Sequence, residues 1–590
     1  MTVNVDYIEE SIKRGITVGV IPSGGAIRTR KEIDEFIKDT DCFNLYLLAL
    51  IDLQRLPGAR EEEYFGTRRP RYPWAYLAMY EQTIFLQMVN IAKEFPPQYR
   101  KRYLEACEGF GIPYWDPFLP RRKILNKYGY PITKCGIPVI MSSKDVRIRT
   151  PRHPDLPIDA PNPLYSYKFA PGNLDWAEVA GHPFKEIFSD VINNPNMTLN
   201  TIRGPTPAGW TSHQYVNNTL TNAVSTANGP ALPLGSKIYR ILQGPPPSYT
   251  QMATSAYVAQ AGPSANKENS LEGFHNDIHT MCGNGGDGRT GHMGLTEYAA
   301  FDPIFWLHHT NIDRIFAIWQ ALNPDTWGWD QRLLDSPTYV RGIGDRETST
   351  SWLIPFRLKI EDNFDPFTDP GSASREPPKV KWWTSDALRR CSDLGYTYPE
   401  LQLVKGGEKV DDLRPLRQWV TNTYGWSTIY GEPPPWRSLF ESEDFSRVEA
   451  LPEVSRIDGS GEPIFIATPT TATTKPKPKP NISTRMTKWF RGRDASKNGG
   501  RGDDVDCYKH IRAIMRGHTL THWNLTITVR KFALNGSFQI YFFLGDFSDD
   551  PRNWPHERHL VGIDGIFANR HIEHWYFPLS LRIEQFLRRY

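Results

Sequence analysis

Cysteine, net charge and long apolar runs are all scarce in this sequence. The six cysteines stand apart without any C-x-x-C spacing, so neither a zinc ribbon nor a disulfide scaffold is indicated. A net charge of +3 over 590 residues gives no basis for attraction to nucleic acid or to a membrane surface. No run of about 18 apolar residues is present to span a bilayer, and the first residues do not read as a signal peptide. We therefore expect a cytoplasmic protein without nucleic-acid or membrane partners.

Histidine is absent from the first 152 residues and then concentrates in one stretch. His275 and His279 are four residues apart, so on a helix they share one face, one turn apart. The pair His308 and His309 follows a glycine-rich loop and opens a segment, 310–322, with apolar residues at helical spacing. Two antiparallel helices joined by such a loop can bring three imidazoles to one point. The spacing therefore predicts a metal site.

A site with only nitrogen ligands limits the choice of metal. Imidazole suits copper, zinc, iron and nickel, and the absence of a carboxylate or thiolate at ligand spacing favours copper or zinc. An H-x-x-x-H pair alone is more often two surface histidines. Here it is accompanied by Asp302-Pro303, Phe305-Trp306 and Asn311-x-Asp313-Arg314 at fixed offsets, a combination that chance does not explain.

The segment FDPIFWLHHTNIDRIFAIWQ, residues 301–320, resembles the second copper-binding motif of the type-3 copper proteins, which are the tyrosinases, catechol oxidases and hemocyanins. It is most similar to the fungal tyrosinases. The resemblance implies that His275, His279 and His309 are the ligands of one copper ion.

Four neighbouring residues take roles from the same resemblance. Glu272 stands where relatives place a carboxylate that holds a water near the metal, and Asn276 where a residue orients that water to deprotonate a phenol. Phe305 occupies the aromatic position that packs on a ligand imidazole. Asp313 is expected to accept a hydrogen bond from a ligand imidazole, although an ordinary buried ion pair explains it equally well.

The first copper-binding half of the family is only partly present. A helix over 74–95 and the sequence GIPYWDP at 111–117 resemble that half. Relatives carry a histidine three residues before the position of Tyr76, where this chain has Pro73, and the next upstream ligand falls on Tyr64. Two explanations stay open: a segment lost between about Tyr64 and Tyr72, or a natural relative that binds one copper.

The expected fold is a mainly α catalytic domain, 1–430, in which a four-helix bundle with long loops carries the coppers. A linker, 431–505, contains the tract TPTTATTKPKPKP, which has no residue able to join a core. The C-terminal domain, 506–590, is expected to be a small β-sandwich. Its predicted hairpin joins 525–529 to 538–544 through Asn535-Gly536. The resemblance implies that this domain caps the active site of a latent proenzyme.

The function implied is that of a tyrosinase or polyphenol oxidase with copper as cofactor. Such an enzyme uses O₂ to hydroxylate monophenols at the ortho position and to oxidise o-diphenols to o-quinones, the entry to melanin. Two alternatives stay open. The missing histidines favour an impaired one-copper or non-catalytic relative, and a hemocyanin-like O₂ carrier would bind O₂ without turning over catechol.

Overall fold

The protein is described by a computed structural model, which covers most of the helical part of the chain. The described residues are 3–13, 16–22, 27–55, 73–119, 122–125, 131–134, 136–168, 200–205, 211–224, 234–243, 249–253, 270–285, 290–295, 299–326, 352–360, 380–384, 388–404, 412–424, 456–457, 463–464, 515–516, 519–520, 537–543, 546–550, 554 and 560–567. None of the described helices combines the length and the apolar character needed to cross a membrane.

Helices dominate the described part of the chain. The α-helices are α1 Val5–Lys13, α2 Ile33–Phe36, α3 Thr40–Gln54, α4 Pro73–Glu94, α5 Pro97–Glu108, α6 Val139–Ser142, α7 His213–Val224, α8 Leu234–Gln243, α9 Tyr249–Ala253, α10 Leu271–Gly283, α11 Pro303–Leu322 and α12 Arg414–Tyr424. Short 3₁₀ helices cover His292–Gly294, Ala299–Phe301, Cys391–Leu394 and Pro399–Leu403.

Four long helices form the centre of this helical core. α3 packs against α4, α4 against α11, and α11 against α10. α3 begins where Asp39 accepts a hydrogen bond from the backbone N–H of Cys42, which satisfies one of the free N–H groups of a helix start. The helix predicted over 74–95 is confirmed as α4. The mainly α expectation is therefore confirmed for the core.

The described strands form two-stranded sheets. They are β1 Arg28–Thr29, β2 Arg122–Leu125, β3 Pro131–Lys134, β4 Asp145–Thr150, β5 His153–Pro161, β6 Trp352–Ile360, β7 Val380–Thr384, β8 Tyr396–Thr397, β9 Arg456–Ile457, β10 Pro463–Ile464, β11 Met515–Arg516, β12 Thr519–Leu520, β13 Phe538–Phe543 and β14 Leu560–Ile566. The parallel pair β1 and β8 joins Arg28 to Tyr396. The other pairs, β2–β3, β4–β5, β6–β7, β9–β10, β11–β12 and β13–β14, are antiparallel.

The C-terminal strand at 538–544 is confirmed as β13, but its described partner is not the one expected. β13 pairs with β14, with Tyr541 opposite Ile563, while the predicted strand 525–529 lies outside the described residues. A strand has two edges, and a local turn signal indicates only the nearest neighbour along the chain. The β-sandwich stays a prediction.

The chain divides into two compact units. One comprises 1–465 and 530–590, and the other comprises 466–529. The first contains the helical core together with β13 and β14. In the second, β11 and β12 form one antiparallel pair. The predicted domain boundaries at 430 and 505 stay predictions.

A buried ion network fixes the N-terminal segment to the core. Arg30 is fully buried; its Nε lies 2.7 Å from a Glu81 carboxylate oxygen and its Nη1 lies 2.9 Å from Asp313 Oδ2. Its guanidinium also lies 3.4 Å from the ring centre of Tyr396. This one side chain therefore connects the segment before α2 to α4, α11 and β8.

Replacing Arg30 with methionine should strongly destabilise the fold. The substitution leaves Asp313 buried without its cation, and breaking one side of a buried pair costs about 3–5 kcal/mol. The free energy of unfolding in guanidinium chloride measures the effect. Lys38→Met, which removes an exposed ion pair with Glu35, serves as the control and should change little. A loss of similar size in both variants would contradict the network's role.

Candidate metal centre

The helix α10 carries His275 and His279 on one face. Its start is capped by Ser270, whose hydroxyl accepts from the N–H of Gly273 at 3.1 Å. From there, helical spacing carries His275 and His279 onto one face, with ring centres 4.4 Å apart. His279 is fully buried and His275 is partly buried. The H-x-x-x-H spacing thus brings the two imidazoles together inside the core.

The helix α11 supplies the opposing histidines. Asp302 caps its start by accepting from the N–H of Ile304, and Pro303 fills the first helical position, where a missing N–H has no cost. The cap is itself held by the buried Arg203, whose guanidinium lies 2.8 and 2.9 Å from the two oxygens of Asp302. This rigid start fixes the rotation of α11, which carries His308 and His309.

Three imidazole nitrogens converge between α10 and α11. His309 Nε2 lies 3.1 Å from His275 Nε2 and also 3.1 Å from His279 Nε2. Nitrogens held about 2.0 Å from one tetrahedral metal ion stand roughly 3.3 Å apart. The spacing of the three atoms is therefore that of ligands around a single ion.

The other nitrogen of each ring faces an oxygen atom. His275 Nδ1 lies 3.0 Å from Asn276 Oδ1, His279 Nδ1 lies 2.8 Å from the carbonyl oxygen of Met293, and His309 Nδ1 is hydrogen-bonded to the hydroxyl of Tyr76. The amide oxygen of Asn276 and the carbonyl of Met293 can only accept, so they place the proton of His275 and His279 on Nδ1 and leave the Nε2 lone pairs for a metal. The donor set fits a nitrogen-ligated ion.

The electrostatics of the cluster favour neutral imidazoles. Burial lowers the pKa of His279 and of His309 well below the usual value, and the nearby ring of His275 lowers both further. A neutral ring is the form that ligates a metal. Protonation of these two rings therefore does not compete with metal binding near neutral pH.

His308 belongs to the same cluster, although the sequence analysis did not assign it a role. One ligand atom from each of the four histidines lies within 4.8 Å of the others. His308 is fully buried, and neither of its ring nitrogens forms a hydrogen bond with a described residue. Its ring is parallel to that of His275, with centres 5.3 Å apart. The cluster thus holds a fourth nitrogen donor beside the three predicted ligands.

Comparison with known proteins agrees with this geometry. A family model described as the common central domain of tyrosinase matches residues 72–322, and one described as the tyrosinase C-terminal domain matches 522–574. The chain is similar to the tyrosinase of Neurospora crassa, with 24% identity over an aligned length of 604. The alignment covers 92% of this chain and 79% of that protein. The chain belongs to the tyrosinase family. It is therefore related to the type-3 copper oxidoreductases, as the resemblance predicted.

Two further relatives place the chain within the family. A structure of latent and active mushroom tyrosinase superposes with a TM-score of 0.50 at 26% identity, covering 70% of this chain and 98% of that one. A G-type hemocyanin of Enteroctopus dofleini is 55% identical over only 53 residues, which are 9% of this chain and 2% of that protein. Similarity over most of the chain thus lies with the tyrosinases.

Aromatic rings cover the histidine cluster of this tyrosinase-family chain on two sides. The ring of Phe305 stacks on His309, with centres 3.8 Å apart and planes at 25°. The ring of Phe567, which directly follows β14, stacks on His279 at 4.2 Å and 21°. Phe305 thus contacts a predicted ligand, and its role in the site stays a prediction. Phe567 was not predicted, because no local pattern connects it to a helix almost 300 residues earlier.

The strand β14 is held against α10 by charge and by close packing. Lys237 Nζ lies 2.9 Å from Asp277 Oδ2 and also pairs with Asp564. Burial lowers the pKa of Lys237, but the two carboxylates outweigh it and raise that pKa overall. The N–H of Gly565 donates to Asp277 Oδ1 at 2.7 Å. These contacts, which we call the β14 latch, involve Lys237, Asp277, Asp564 and Gly565.

The predicted role of Asp313 is wrong. Its carboxylate accepts hydrogen bonds from Arg30, Tyr396 and Tyr398 rather than from a histidine. Burial raises its pKa to about 6, although these partners lower it. Asp313 comes one turn after His309 on the same face of α11, and there its carboxylate is reached by Arg30 of the N-terminal segment. Asp313 therefore anchors α11 through a buried ion pair with Arg30. A buried ion pair was the alternative interpretation of this residue from the sequence.

The described part of the first copper-binding half contributes no imidazole. Pro73 is the first residue of α4, and neither α3 nor α4 contains a histidine. Tyr64 and Tyr72 lie outside the described residues. His153 is an exposed residue of β5 beside Thr150, and His213 is partly buried against the ring of Tyr165. Among the described residues, the group of histidines between α10 and α11 is the one cluster suited to a metal.

Proposed function

We propose that the chain is a tyrosinase-type polyphenol oxidase that binds copper through His275, His279 and His309. Its substrates would be phenols and O₂, with ortho-hydroxylation of monophenols and oxidation of o-diphenols to o-quinones in melanin-type pigment synthesis. The observation that carries the proposal is the convergence of three Nε2 atoms, each on a ring whose Nδ1 is held by an oxygen. Nitrogen ligands of this kind suit copper. The cytoplasmic location stays a prediction.

Copper supplies the redox chemistry with O₂ when it is bound, and the protein supplies ligands, orientation and a base. Asn276 accepts from the ring of His275 and so orients the first ligand. Glu272 lies in the first turn of α10, one turn before Asn276, and is partly exposed. In the proposal its carboxylate holds the water that takes the proton of the phenol, with Asn276 orienting that water.

Replacing His275 with alanine should abolish copper binding at this site. The substitution removes one of the three imidazoles whose Nε2 atoms converge, and it leaves His279 and the partly buried His309 with His308 as the one other histidine of the cluster. Copper per chain, determined by mass spectrometry of the purified full-length protein, measures the effect. His153→Ala, which removes an exposed histidine outside the cluster, serves as the control. Stoichiometric copper in the His275→Ala protein would show that the ligand assignment is wrong.

The latent state is the second part of the proposal. Phe567 covers one face of the His279 ring, and the β14 latch holds the strand that carries it. These contacts support the interpretation of the C-terminal region as a cap. In this form the chain would be a proenzyme, which becomes accessible to phenols only when β14 leaves α10.

A one-copper or non-catalytic relative is the alternative that a specific observation favours. The described residues of α3 and α4 provide no histidine for a first copper. A chain with a single copper would bind the metal through α10 and α11 without the oxidase chemistry that two coppers perform in the family. Copper stoichiometry and catechol turnover together separate the two cases.

A further inference from the structure

The helix α4 reaches the histidine cluster through a tyrosine. The hydroxyl of Tyr76 is hydrogen-bonded to His309 Nδ1. The ring of Tyr76 meets that of Trp306 edge-on, with centres 6.0 Å apart, and lies 6.4 Å from the ring centre of Phe305. The phenol is therefore fixed by its neighbours with its oxygen against the back of a predicted ligand.

The proton on Nδ1 decides whether His309 can bind a metal through Nε2. A neutral imidazole carries one proton, and an acceptor at Nδ1 keeps it there. Asn276 and the carbonyl of Met293 provide that acceptor for the other two ligands. For His309 the partner at Nδ1 is Tyr76. Asp313 lies one helical turn beyond His309, but it is occupied by Arg30, Tyr396 and Tyr398.

We propose that Tyr76 is a positioning residue for the metal: its oxygen accepts the Nδ1–H of His309 and so directs the Nε2 lone pair toward the ion. The inference rests on the proposed ligand role of His309. By this proposal α4, the helix that resembles the first copper-binding half, positions a ligand of the second copper site.

Removing this acceptor penalises the ligating tautomer. With phenylalanine at position 76 the Nδ1–H would be buried without a partner, which destabilises that tautomer. The ring would then favour the tautomer protonated at Nε2, which cannot ligate. Loss of such a partner typically lowers metal affinity by about 10- to 100-fold.

The test compares Tyr76→Phe with Tyr80→Phe in the full-length chain. Tyr80 lies one turn further along α4 and stacks on Trp306 at 3.7 Å. It has no described contact with a histidine of the cluster, so it matches Tyr76 in helix and burial but not in the ligand contact. The affinity for cuprous ion is measured by competition with bicinchoninate. Unfolding of the metal-free proteins is measured in parallel, because a merely structural role would appear there.

The expected result is a dissociation constant for cuprous ion raised about 10- to 100-fold in Tyr76→Phe and hardly changed in Tyr80→Phe. The metal-free Tyr76→Phe protein should unfold no more easily than the metal-free Tyr80→Phe protein. An unchanged affinity in Tyr76→Phe, or an equal loss in both variants, would overturn the inference.

The His275→Ala protein separates this inference from the ligand assignment. If His275→Ala also keeps its copper, the ligand assignment itself fails. If His275→Ala loses copper while Tyr76→Phe does not, only the role of Tyr76 fails.

Discussion

On the one-copper alternative, the chain as its sequence stands should bind at most about one copper and should not oxidise catechol. The type-3 reaction needs two coppers held close together, and the side chain of Pro73 has no donor atom. Tyr64 or Tyr72 could offer a phenolate, but one oxygen does not replace three imidazoles for a cuprous ion, which prefers soft or nitrogen ligands. Copper per chain and catechol turnover, both on the purified full-length protein, measure the outcome.

The matched comparison is a chain in which 56–75 is replaced by the corresponding histidine-containing segment of a mushroom tyrosinase. That chain should bind about twice as much copper, and it should develop the near-ultraviolet absorption of the family's oxygenated state. If the unaltered chain binds two coppers and turns over catechol, the first half has been aligned wrongly. Histidines outside the cluster, such as His153, would then have to be considered as ligands.

Substituting Gly565 with valine should expose the copper site. A Cβ at this position would lie 2.3 Å from Thr280 Oγ1, 2.8 Å from the carbonyl oxygen of Asn276 and 2.9 Å from the Cα of Asp277. Two of these atoms belong to the backbone of α10, so the strand must give way. Overpacking of this kind costs about 1–3 kcal/mol, which should raise the rate of copper transfer to an external chelator by about tenfold or more.

Two variants make this experiment specific to the cap. Phe567→Ala removes the ring on His279 but keeps the β14 latch, and it should also speed copper transfer. Gly109→Val adds the same side chain at a helix end where no atom lies within 4 Å, and it should behave like the parent. Unchanged transfer in both Gly565→Val and Phe567→Ala would mean that Phe567 does not protect the site.

The sequence predicted the helices of the metal centre because their signals are local. The spacing of His275 and His279 defines one helical face, and the motif around His309 identifies its counterpart on α11. The start of α11 was expected too late, near residue 310. The Asp302-Pro303 pair is a strong N-cap and first-position signal, and the structure begins the helix at Pro303.

The contacts that the sequence did not predict are those between distant segments. Phe567 contacts His279, which lies almost 300 residues earlier, and Tyr76 contacts His309, which lies about 230 residues later. No periodicity in the sequence indicates such contacts. The case of Asp313 is similar. Its position after His309 suggested a contact within one helix, but Arg30 competes for the carboxylate with a full charge. In the buried core, an ion pair of this kind outweighs a neutral ring N–H.

Phe567 and His279 belong to the same polypeptide, and this determines how the protection of the site depends on protein concentration. While the chain is intact, closure is a first-order event, because the ring and the imidazole belong to one polypeptide. Diluting the protein leaves that closure unchanged. Once the peptide is cut between α10 and β14, the same contacts form a bimolecular complex, and its occupancy falls with dilution. Hydrolysis of one peptide bond would then allow Phe567 to dissociate from His279 when the protein is diluted.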